Sequence, residues 1–239
     1  MPGAAQGVHV DHHAQWIDPN DPDRFVTGND GGVAITFDRG GNYIFPNTVP
    51  LGQFYNISYD MGVPYRVCGG LQDNGTWCGP SRRADDEGFD EKLWHTIYGG
   101  DGFYTQQDPT DPDVVYAESQ RGSMGRVSLA TGRRTSLGRP EWEDLVRPLL
   151  DSIALLEGVD APRTLTAEEQ RRVDAWKARV REDSARDDLR YNWSTPIVLS
   201  PHDPRTIYTA GNRVLKSTNR GDDFEVVSPD LTVGDTMKI

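Results

Sequence analysis

Two aspartates occupy matching positions in the chain and could act together in catalysis. Asp11 precedes Asp18 by seven residues, and Asp101 precedes Asp108 by the same interval. Most glycoside hydrolases use two carboxyl groups about 5 to 9.5 Å apart, one as the acid and one as the base or nucleophile. Asp11 and Asp101 are therefore candidate catalytic residues, with a polar channel lining or turn capping as the alternative roles.

Polar side chains in two predicted hairpin loops could bind a peptide or a glycan. The loops at 29–32 and 72–75 present carboxylate and amide groups, which between them donate and accept hydrogen bonds. Trp193 precedes Ser200 by seven residues and so matches Asp11 and Asp101. The candidate binding residues are His13, Asn29, Asp30, Gln72, Asp73, Asn74 and Trp193.

The spacing of His9, Asp11 and His13 could suggest a metal site, because alternate residues share one face of a strand. Residues four apart on a strand are separated by about 13 Å, however, and bonds to a metal are only about 2 Å long. Both histidines therefore cannot reach one ion. We expect hydrogen-bonded channel or core histidines, no metal and no cofactor.

These residues lie in a repeated pattern of corner, strand, hairpin and strand. Asp-Pro corners recur at 18–22 and 108–112, and Ser200 to Pro204 forms a third copy. Proline cannot donate to a strand ladder, and the preceding Asp or Ser favours a turn. A degenerate copy with hairpin residues 72–75 divides the first interval into two units of about 45 residues, the size of one four-stranded propeller blade. The predicted blades are 7–47, 52–98, 100–137 and 192–228.

Each candidate residue is placed by this pattern near the start of a blade's innermost strand or in a hairpin loop. Asp11, Asp101 and Trp193, with Gln53 from the degenerate copy, should therefore ring one mouth of a central channel. Because Asp11 and Asp101 lie two blades apart, we expect their separation to exceed the range that glycoside hydrolysis needs.

Two turns share a motif. Residues 36–43 read Thr36-x-Asp38-x-Gly40-x-Asn42-Tyr43, and residues 217–224 read Ser217-x-Asn219-x-Gly221-x-Asp223-Phe224. The carboxylate of Asp38 can accept hydrogen bonds from the N–H groups of its own turn, and Gly40 can adopt positive φ. The motif is an Asp-box, and Asp38 is expected to stabilise the turn.

Only residues 141 to 188 interrupt the strand pattern. Leu145, Leu149 and Ile153 are among the apolar residues at helical spacing, although Pro148 should kink or divide the helix. Thr166 and Glu169 form a capping box before a second helix. We predict a helical hairpin, which divides the chain into blades 1–3 (1–140), a helical insertion (141–190) and blade 4 (191–239).

Cys68 and Cys78 lie on either side of one predicted hairpin. If Asn74-Gly75 is a two-residue loop, Cys68 lies opposite Ser81 and no disulfide forms. A different register would bring the two cysteines together with Cβ atoms about 4 Å apart. Both outcomes are open from the sequence.

Composition favours an all-β fold and excludes several partners. The chain has 25 Gly and 16 Pro in 239 residues, which suits many short strands and turns. The formal net charge of −12 argues against binding to nucleic acid or to an anionic membrane. No apolar run is long enough to span a bilayer. Residues 1–11 lack the pattern of a signal peptide.

The runs DHHAQWIDPNDPDRFVTGNDGGV, GGLQDNGTWCGPS and NWSTPIVLSPHDP, with the two Asp-boxes, resemble the large extracytoplasmic Asp-box propellers labelled sortilin-like or glycosyl hydrolase-like. The resemblance covers nearly the whole chain except the helical insertion. It implies a secreted or periplasmic protein whose export signal precedes Met1, and further blades beyond this chain. Asp-boxes are structural turns, so the resemblance is specific for fold rather than for activity.

We therefore predict an all-β protein, a propeller fragment of about four blades with a helical-hairpin insertion. The favoured function is binding or scaffolding, with a peptide or a glycan as the ligand and the remaining blades as partners. The alternative is a xyloglucanase-like or sialidase-like glycoside hydrolase that uses Asp11 and Asp101. Sialidase chemistry would need an arginine cluster, and none of the aligned first-strand positions is arginine.

Overall fold

The computed structural model describes residues 8–46, 52–85, 88, 90–138, 142–158, 163–186 and 189–233. These residues form four antiparallel sheets and two α-helices. The predicted all-β fold, with about four blades and a helical hairpin between the third and the fourth, is confirmed. The sheets follow one another in chain order, and we number them one to four.

The bounds of the strands follow the predicted blades. Sheet one contains β1 (His12–Ile17), β2 (Phe25–Asn29) and β3 (Gly32–Thr36). Sheet two contains β4 (Phe54–Tyr59), β5 (Arg66–Leu71), β6 (Gly75–Pro80) and β7 (His95–Tyr98). Sheet three contains β8 (Thr105–Gln107), β9 (Val114–Ser119), β10 (Ser123–Ser128) and β11 (Arg134–Ser136). Sheet four contains β12 (Ile197–Leu199), β13 (Ile207–Ala210), β14 (Val214–Ser217) and β15 (Glu225–Val226).

Sheets two, three and four pack face to face in that order, because alternate residues of each strand point to opposite faces. On β9, Val115 and Ala117 face sheet two and join its buried cluster with Cys68 and Ile97. Tyr116 of the same strand faces sheet four. The first strands β4, β8 and β12 lie beside one another, as expected for the inner strands of neighbouring blades.

The corners hold the strands in the predicted arrangement. In sheet three the N–H of Asp108 donates to the carbonyl of Val114 at 3.0 Å, and the Asp108 carboxylate accepts from the N–H of Thr110 at 2.9 Å. Ser200 in sheet four makes the same backbone bond to Thr206 at 2.9 Å. A side-chain oxygen that accepts from the backbone two residues later stabilises the turn.

The two motif turns have matching geometry. The Asp38 carboxylate accepts hydrogen bonds from Thr36 Oγ1 at 2.9 Å and from the N–H of Asn42 at 2.8 Å. In the second turn the Asn219 amide oxygen accepts from Ser217 Oγ at 2.8 Å and from the N–H of Asp223 at 3.1 Å. Hydrogen bonds from Asn42 and Thr36 lower the pKa of Asp38, because they favour its charged form.

Cys68 and Cys78 form a disulfide across β5 and β6. The register pairs Leu71 with Gly75, so the loop is the three residues Gln72, Asp73 and Asn74. The two-residue loop considered from the sequence is therefore wrong, and the alternative register applies. Asp73 adopts φ of 60°, so the turn is centred on Asp73 rather than on Asn74 and Gly75.

The insertion consists of α1 (Trp142–Glu157) and α2 (Ala167–Arg186), which pack on each other. Ile153 and Val173 are buried between them. α1 continues through Pro148, so of the two outcomes expected there, a kink or a division, the division does not occur. The capping box is present, with the Thr166 N–H donating to Glu169 Oε2 at 2.9 Å. Neither α-helix is long and apolar enough to cross a membrane, as far as the described residues go.

Candidate functional site

The candidate residues gather at one end of the sheets, where the first strands begin and the second strands turn into the third. We call this end the mouth. The antiparallel order of the strands explains the grouping. The first strand of each sheet runs away from the mouth, and the second strand returns to it and ends in a hairpin loop there. Hydrogen bonds then join hairpin loops of neighbouring sheets. The Asn74 amide donates to the carbonyl of Asp30 at 3.3 Å, for example.

Three carboxylates from sheets one and two form an acidic cluster at the mouth. One oxygen from each of Asp11, Asp30 and Asp73 lies within 4.8 Å of the other two. Asp11 precedes β1 with φ of 58°, Asp30 lies in the loop between β2 and β3, and Asp73 lies in the loop between β5 and β6. Asp11 and Asp30 are exposed, whereas Asp73 is half-buried. The structure thus brings together one predicted catalytic residue and two predicted binding residues.

Asp101, the second predicted catalytic residue, contacts the same cluster from sheet three. It is 2 % exposed, and its Oδ1 accepts a hydrogen bond from the N–H of Asp73 at 2.8 Å. Asp11 and Asp101 therefore approach Asp73 from two sides. The two residues differ in burial: Asp101 is buried and binds the backbone of the Asp73 loop, whereas Asp11 is exposed to solvent.

His9 and His13 lie next to the acidic cluster, but they do not lie on the same face of one strand. His9 precedes β1 and Asp11 has positive φ, so the predicted alternation of His9, Asp11 and His13 on one strand is wrong. His13 pairs with the Asp30 carboxylate. His9 Nε2 lies 3.2 Å from the carbonyl oxygen of Asp73. A turn before β1 redirects the chain and separates the two rings.

The protonation state of His9 follows from its partners. Its Nδ1 lies 3.1 Å from the carbonyl of Val10, and its Nε2 lies near that of Asp73. Carbonyl oxygens only accept hydrogen bonds, so an imidazolium that donates from both nitrogens satisfies both contacts. Partial burial opposes the charge, but these two bonds prevail and raise the pKa of His9. The two carbonyl contacts therefore favour the charged form of His9 beside the acidic cluster.

The carboxyl groups of the cluster titrate differently. Burial is the largest cause that raises the pKa of Asp73 to about 6, and the neighbouring Asp101 and Asp30 add to it. The hydrogen bond from His13 holds the pKa of Asp30 below its ordinary value. Near pH 6 the cluster therefore contains a carboxyl group that can give up a proton beside a carboxylate that is already ionised.

The other predicted binding residues mostly shape the loops. Asn29 accepts a hydrogen bond from the N–H of Gly31 at 2.9 Å, and Asn74 donates to the carbonyl of Gln72 at 3.0 Å. The Gln72 side chain accepts from the hydroxyl of Tyr55. Gln53 lies just before β4 and is exposed.

A row of aromatic rings continues the mouth across sheets two, three and four. The rings of Tyr55 and Phe103 are 5.0 Å apart, and those of Phe103 and Trp193 are 6.5 Å apart. Tyr55 is 46 % exposed and Trp193 is 47 % exposed, whereas Phe103 is buried between them. The Arg121 guanidinium lies 5.6 Å from the centre of the Trp193 ring. The row therefore presents two half-exposed aromatic rings to solvent, Tyr55 and Trp193.

The sequence interpretation included Trp193 and considered His9 as a hydrogen-bonded channel or core histidine, but it missed Tyr55, Phe103 and Arg121. A simple offset would have found two of them. Tyr55 and Phe103 each lie two residues after an aligned mouth position, as His13 does after Asp11. Residues two apart on an extended chain share a face, so the same side of the channel repeats in each blade. Arg121 lies in the turn between β9 and β10, which carries no such periodic signal.

The acidic cluster has the donors that a hard cation such as Ca²⁺ prefers, which are carboxylate oxygens. Asp30 is already paired with His13, however, and the His9 ring contacts the backbone of the Asp73 loop. These contacts account for the cluster without an ion, and no cation site is proposed.

Comparison with known proteins gives structural likeness alone. No family model matches the chain, and no curated protein matches it. Among solved structures, the chain resembles the GH74 xyloglucanase from Xanthomonas campestris at 12 % identity and a TM-score of 0.40, over 91 % of this chain and 30 % of that one. It also resembles YCF48 from Cyanidioschyzon merolae at 12 % identity and a TM-score of 0.40, over 93 % of this chain and 57 % of that one.

An auxiliary nutrient binding protein from Bacteroides ovatus is similar at 13 % identity and a TM-score of 0.38, over 92 % of this chain and 42 % of that one. The chain thus spans between about a third and about three fifths of the length of these three proteins. TM-scores this low do not support any conclusion about activity. The function has to be inferred from the geometry of the mouth.

Proposed function

We propose that the chain is part of a larger extracytoplasmic Asp-box propeller that binds a glycan at the mouth. The observation that carries the proposal is the aromatic row of Tyr55, Phe103 and Trp193 beside the acidic cluster of Asp11, Asp30 and Asp73. A pyranose ring presents apolar C–H faces that stack on aromatic rings and hydroxyl groups that donate to carboxylates. Both kinds of surface lie at the mouth. Asp101 connects them, because it accepts a hydrogen bond from the Asp73 loop and lies two residues before Phe103 in the chain.

The disulfide supports the proposed location. Cysteine pairs persist in the periplasm and outside the cell, whereas cytosolic thiols are kept reduced. Cys68 and Cys78 are fully buried and are the only cysteines in the chain. An extracytoplasmic protein in contact with glycans would fold in such an oxidising compartment.

Exposed apolar faces at both ends support the larger propeller. Ile17 of sheet one, on the face that carries Phe25, is 53 % exposed, and Val198 of sheet four, on the face that carries Tyr208, is 52 % exposed. Repeat arrays bury such faces on a neighbour or cover them with polar caps. We therefore propose that further blades cover these two faces.

The experiment that tests glycan binding is titration calorimetry with neutral oligosaccharides, starting with cello-oligosaccharides and xyloglucan fragments. We expect Trp193→Ala to weaken binding by about fivefold or more, because a stacked ring contributes about 1 kcal/mol or more and about 1.4 kcal/mol corresponds to tenfold. Asp73→Asn should weaken it as well. Trp176→Ala is the matched control, because Trp176 lies on α2 with Arg172 over its ring. Binding of a basic peptide but of no glycan would assign the mouth to a protein ligand instead.

A second candidate, glycoside hydrolysis, rests on the pKa of Asp73. The raised value of about 6 suits a general acid, and an oxygen of the exposed Asp11 within 4.8 Å of one on Asp73 suits the nucleophile of a retaining mechanism, which needs a closer pair of carboxyl groups than an inverting one. In this scheme Asp101 positions Asp73 through its hydrogen bond. If turnover of any glycan is found, Asp73→Asn and Asp11→Asn should each reduce it about 10²-fold or more. Equal rates in these variants would exclude the scheme.

A further inference from the structure

Arg39 in sheet one and Arg220 in sheet four occupy the same position of the same turn. Both follow the central residue of the motif, with φ of 55° and 64°. The N–H of Arg39 donates to the carbonyl of Asp23 at 3.0 Å, and that of Arg220 donates to the carbonyl of Arg205 at 2.8 Å. Their backbones are therefore equivalent, and any difference between them arises in the side chains.

The side chain of Arg220 connects sheet four to sheet three. Its Nε lies 3.5 Å from Oδ2 of Asp108, a carboxylate with no exposed side-chain surface, and its Nη2 donates to Thr110 Oγ1 at 3.3 Å. Both partners belong to the corner of sheet three. Arg39 instead folds back on Asp23 of its own sheet and is 72 % exposed.

The surface around Arg39 repeats the face that sheet four buries on sheet three. The strand registers make Gln15 and Phe25 equivalent to Ile197 and Ile207, which pack against sheet three. The motif register makes Tyr43 equivalent to Phe224. On sheet one these positions line an open cavity of about 460 Å³, together with His12, His13, Ala14 and Thr27. The cavity lies where a preceding sheet would insert its side chains.

We propose that this face of sheet one binds another β-sheet of the same kind, whose corner carries an aspartate in the place of Asp108 and pairs with Arg39. The inference rests on the proposal of a larger propeller and adds the face, the residue and the charge that its neighbour must present. The carboxylate of the incoming corner replaces Asp23 as the partner of Arg39, and the neighbouring apolar side chains fill the cavity.

A second copy of this chain fits the same face less well. The free face of sheet four repeats that of sheet three, since the registers match Tyr208 with Tyr116 and Lys216 with Arg126. Its corner, however, has Ser200 in the place of Asp108. A serine hydroxyl carries no charge and cannot form the ion pair with Arg39. The charge pattern therefore favours a different sheet with an acidic corner.

The missing carboxylate can be installed to test the pairing. Ser200 Oγ accepts a hydrogen bond from the N–H of His202 at 3.2 Å, as Asp108 Oδ1 accepts from Thr110, so Ser200→Asp keeps the turn. Sheet four of one copy then presents the proposed partner to sheet one of another. We expect sedimentation velocity to detect self-association at least tenfold tighter than in the wild type, weakened by salt.

Second-site variants decide whether Arg39 is the partner. Arg39→Ala in the Ser200→Asp background should abolish the gain, and the exchange Arg39→Asp with Ser200→Arg should restore it. Arg24→Ala, which removes another exposed arginine of sheet one, should leave it unchanged. A Ser200→Asp protein that associates no better than the wild type, or whose gain survives Arg39→Ala, overturns the proposal. Tight association of the wild type would assign the face to a second copy. None of these results depends on glycan binding at the mouth.

Discussion

The N–H of Asp73 donates a 2.8 Å hydrogen bond to Oδ1 of Asp101, which joins the hairpin of sheet two to the start of sheet three. Asp101 is buried, so its charge acts on Asp73 through little intervening water. One carboxylate thus fixes the position of another and also changes its proton affinity. The acidic cluster and the aromatic row meet at this bond.

Replacing Asp101 with Asn should lower the pKa of Asp73 from about 6 towards the ordinary value for an aspartate. Burial is the largest cause of the raised value, and the Asp101 carboxylate adds to it. Asn retains an oxygen that accepts from the Asp73 N–H but carries no charge, so ionised Asp73 is penalised less. Carbon-detected NMR of the side-chain carboxyl would give the titration midpoint. Asp111→Asn, at the corner of the same sheet, is the control, and an unchanged Asp73 midpoint in Asp101→Asn would contradict the assignment.

Asp38→Ala should destabilise the protein by about 1 to 2 kcal/mol, because the turn loses its hydrogen bonds from Thr36 and Asn42. Asp38→Asn should cost less, since Asn219 makes the corresponding bonds in sheet four. Urea unfolding of both variants measures the difference. An equal loss in Ala and Asn would mean that the charge of Asp38, rather than its oxygen atoms, stabilises the turn. Loss of ligand binding at unchanged stability would make it a functional residue.

Much of the fold could be predicted because it follows from local rules. The Asp-Pro corners, the Gly-containing hairpins and the capping box of Thr166 with Glu169 each involve residues close together in sequence. The blade boundaries followed from their spacing. The register of the β5–β6 hairpin could not be fixed in this way, because Asn74-Gly75 suggests a two-residue loop. The contact of the Asp73 loop with Asp101 favours the observed three-residue loop.

The candidate site was predicted in part for a related reason. Aligning the repeats identified Asp11, Asp101 and Trp193 at equivalent positions, and all three lie at the mouth. The alignment gave no information on which residues touch across sheets, so the central place of Asp73 was not predicted. The buried state of Asp101 also depends on packing between sheets, which a repeat pattern does not specify.

We expect the free energy of unfolding of the wild type to fall between about pH 4.5 and 8 because of Glu118, and Glu118→Gln should remove that fall. Glu118 is fully buried, and burial raises its pKa to about 8, although hydrogen bonds from Thr195 and Tyr104 oppose the shift. The folded protein therefore holds a proton that the unfolded chain has lost above its value near 4.5. Stability from this group is complete below that pH and falls by up to about 1.4 kcal/mol per pH unit as the pH rises towards 8.

Urea unfolding at several pH values measures this effect. Gln keeps an oxygen for the Thr195 N–H, which donates to Glu118 Oε1 at 2.9 Å. Glu225→Gln, at an exposed strand position, is the control. Parallel stability profiles for the wild type and Glu118→Gln would show that Glu118 ionises at no cost to the fold.

Replacing residues 141–188 with a flexible Gly/Ser link should leave the four sheets folded. Val173 of α2 and Ile153 of α1 are buried where the two helices pack together, so the helices cover each other's apolar residues. A longer or shorter flexible connection changes the closure free energy by only about 0.6 kcal/mol per doubling of its length. We expect circular dichroism to lose its helical signal and the NMR resonances of the sheets to persist. Val173→Asp is the matched point variant, which should unfold the hairpin alone because a buried charge is costly there. If either change also unfolds the sheets, the helices are part of the propeller core, and Trp142 or Trp176 becomes the residue to test next.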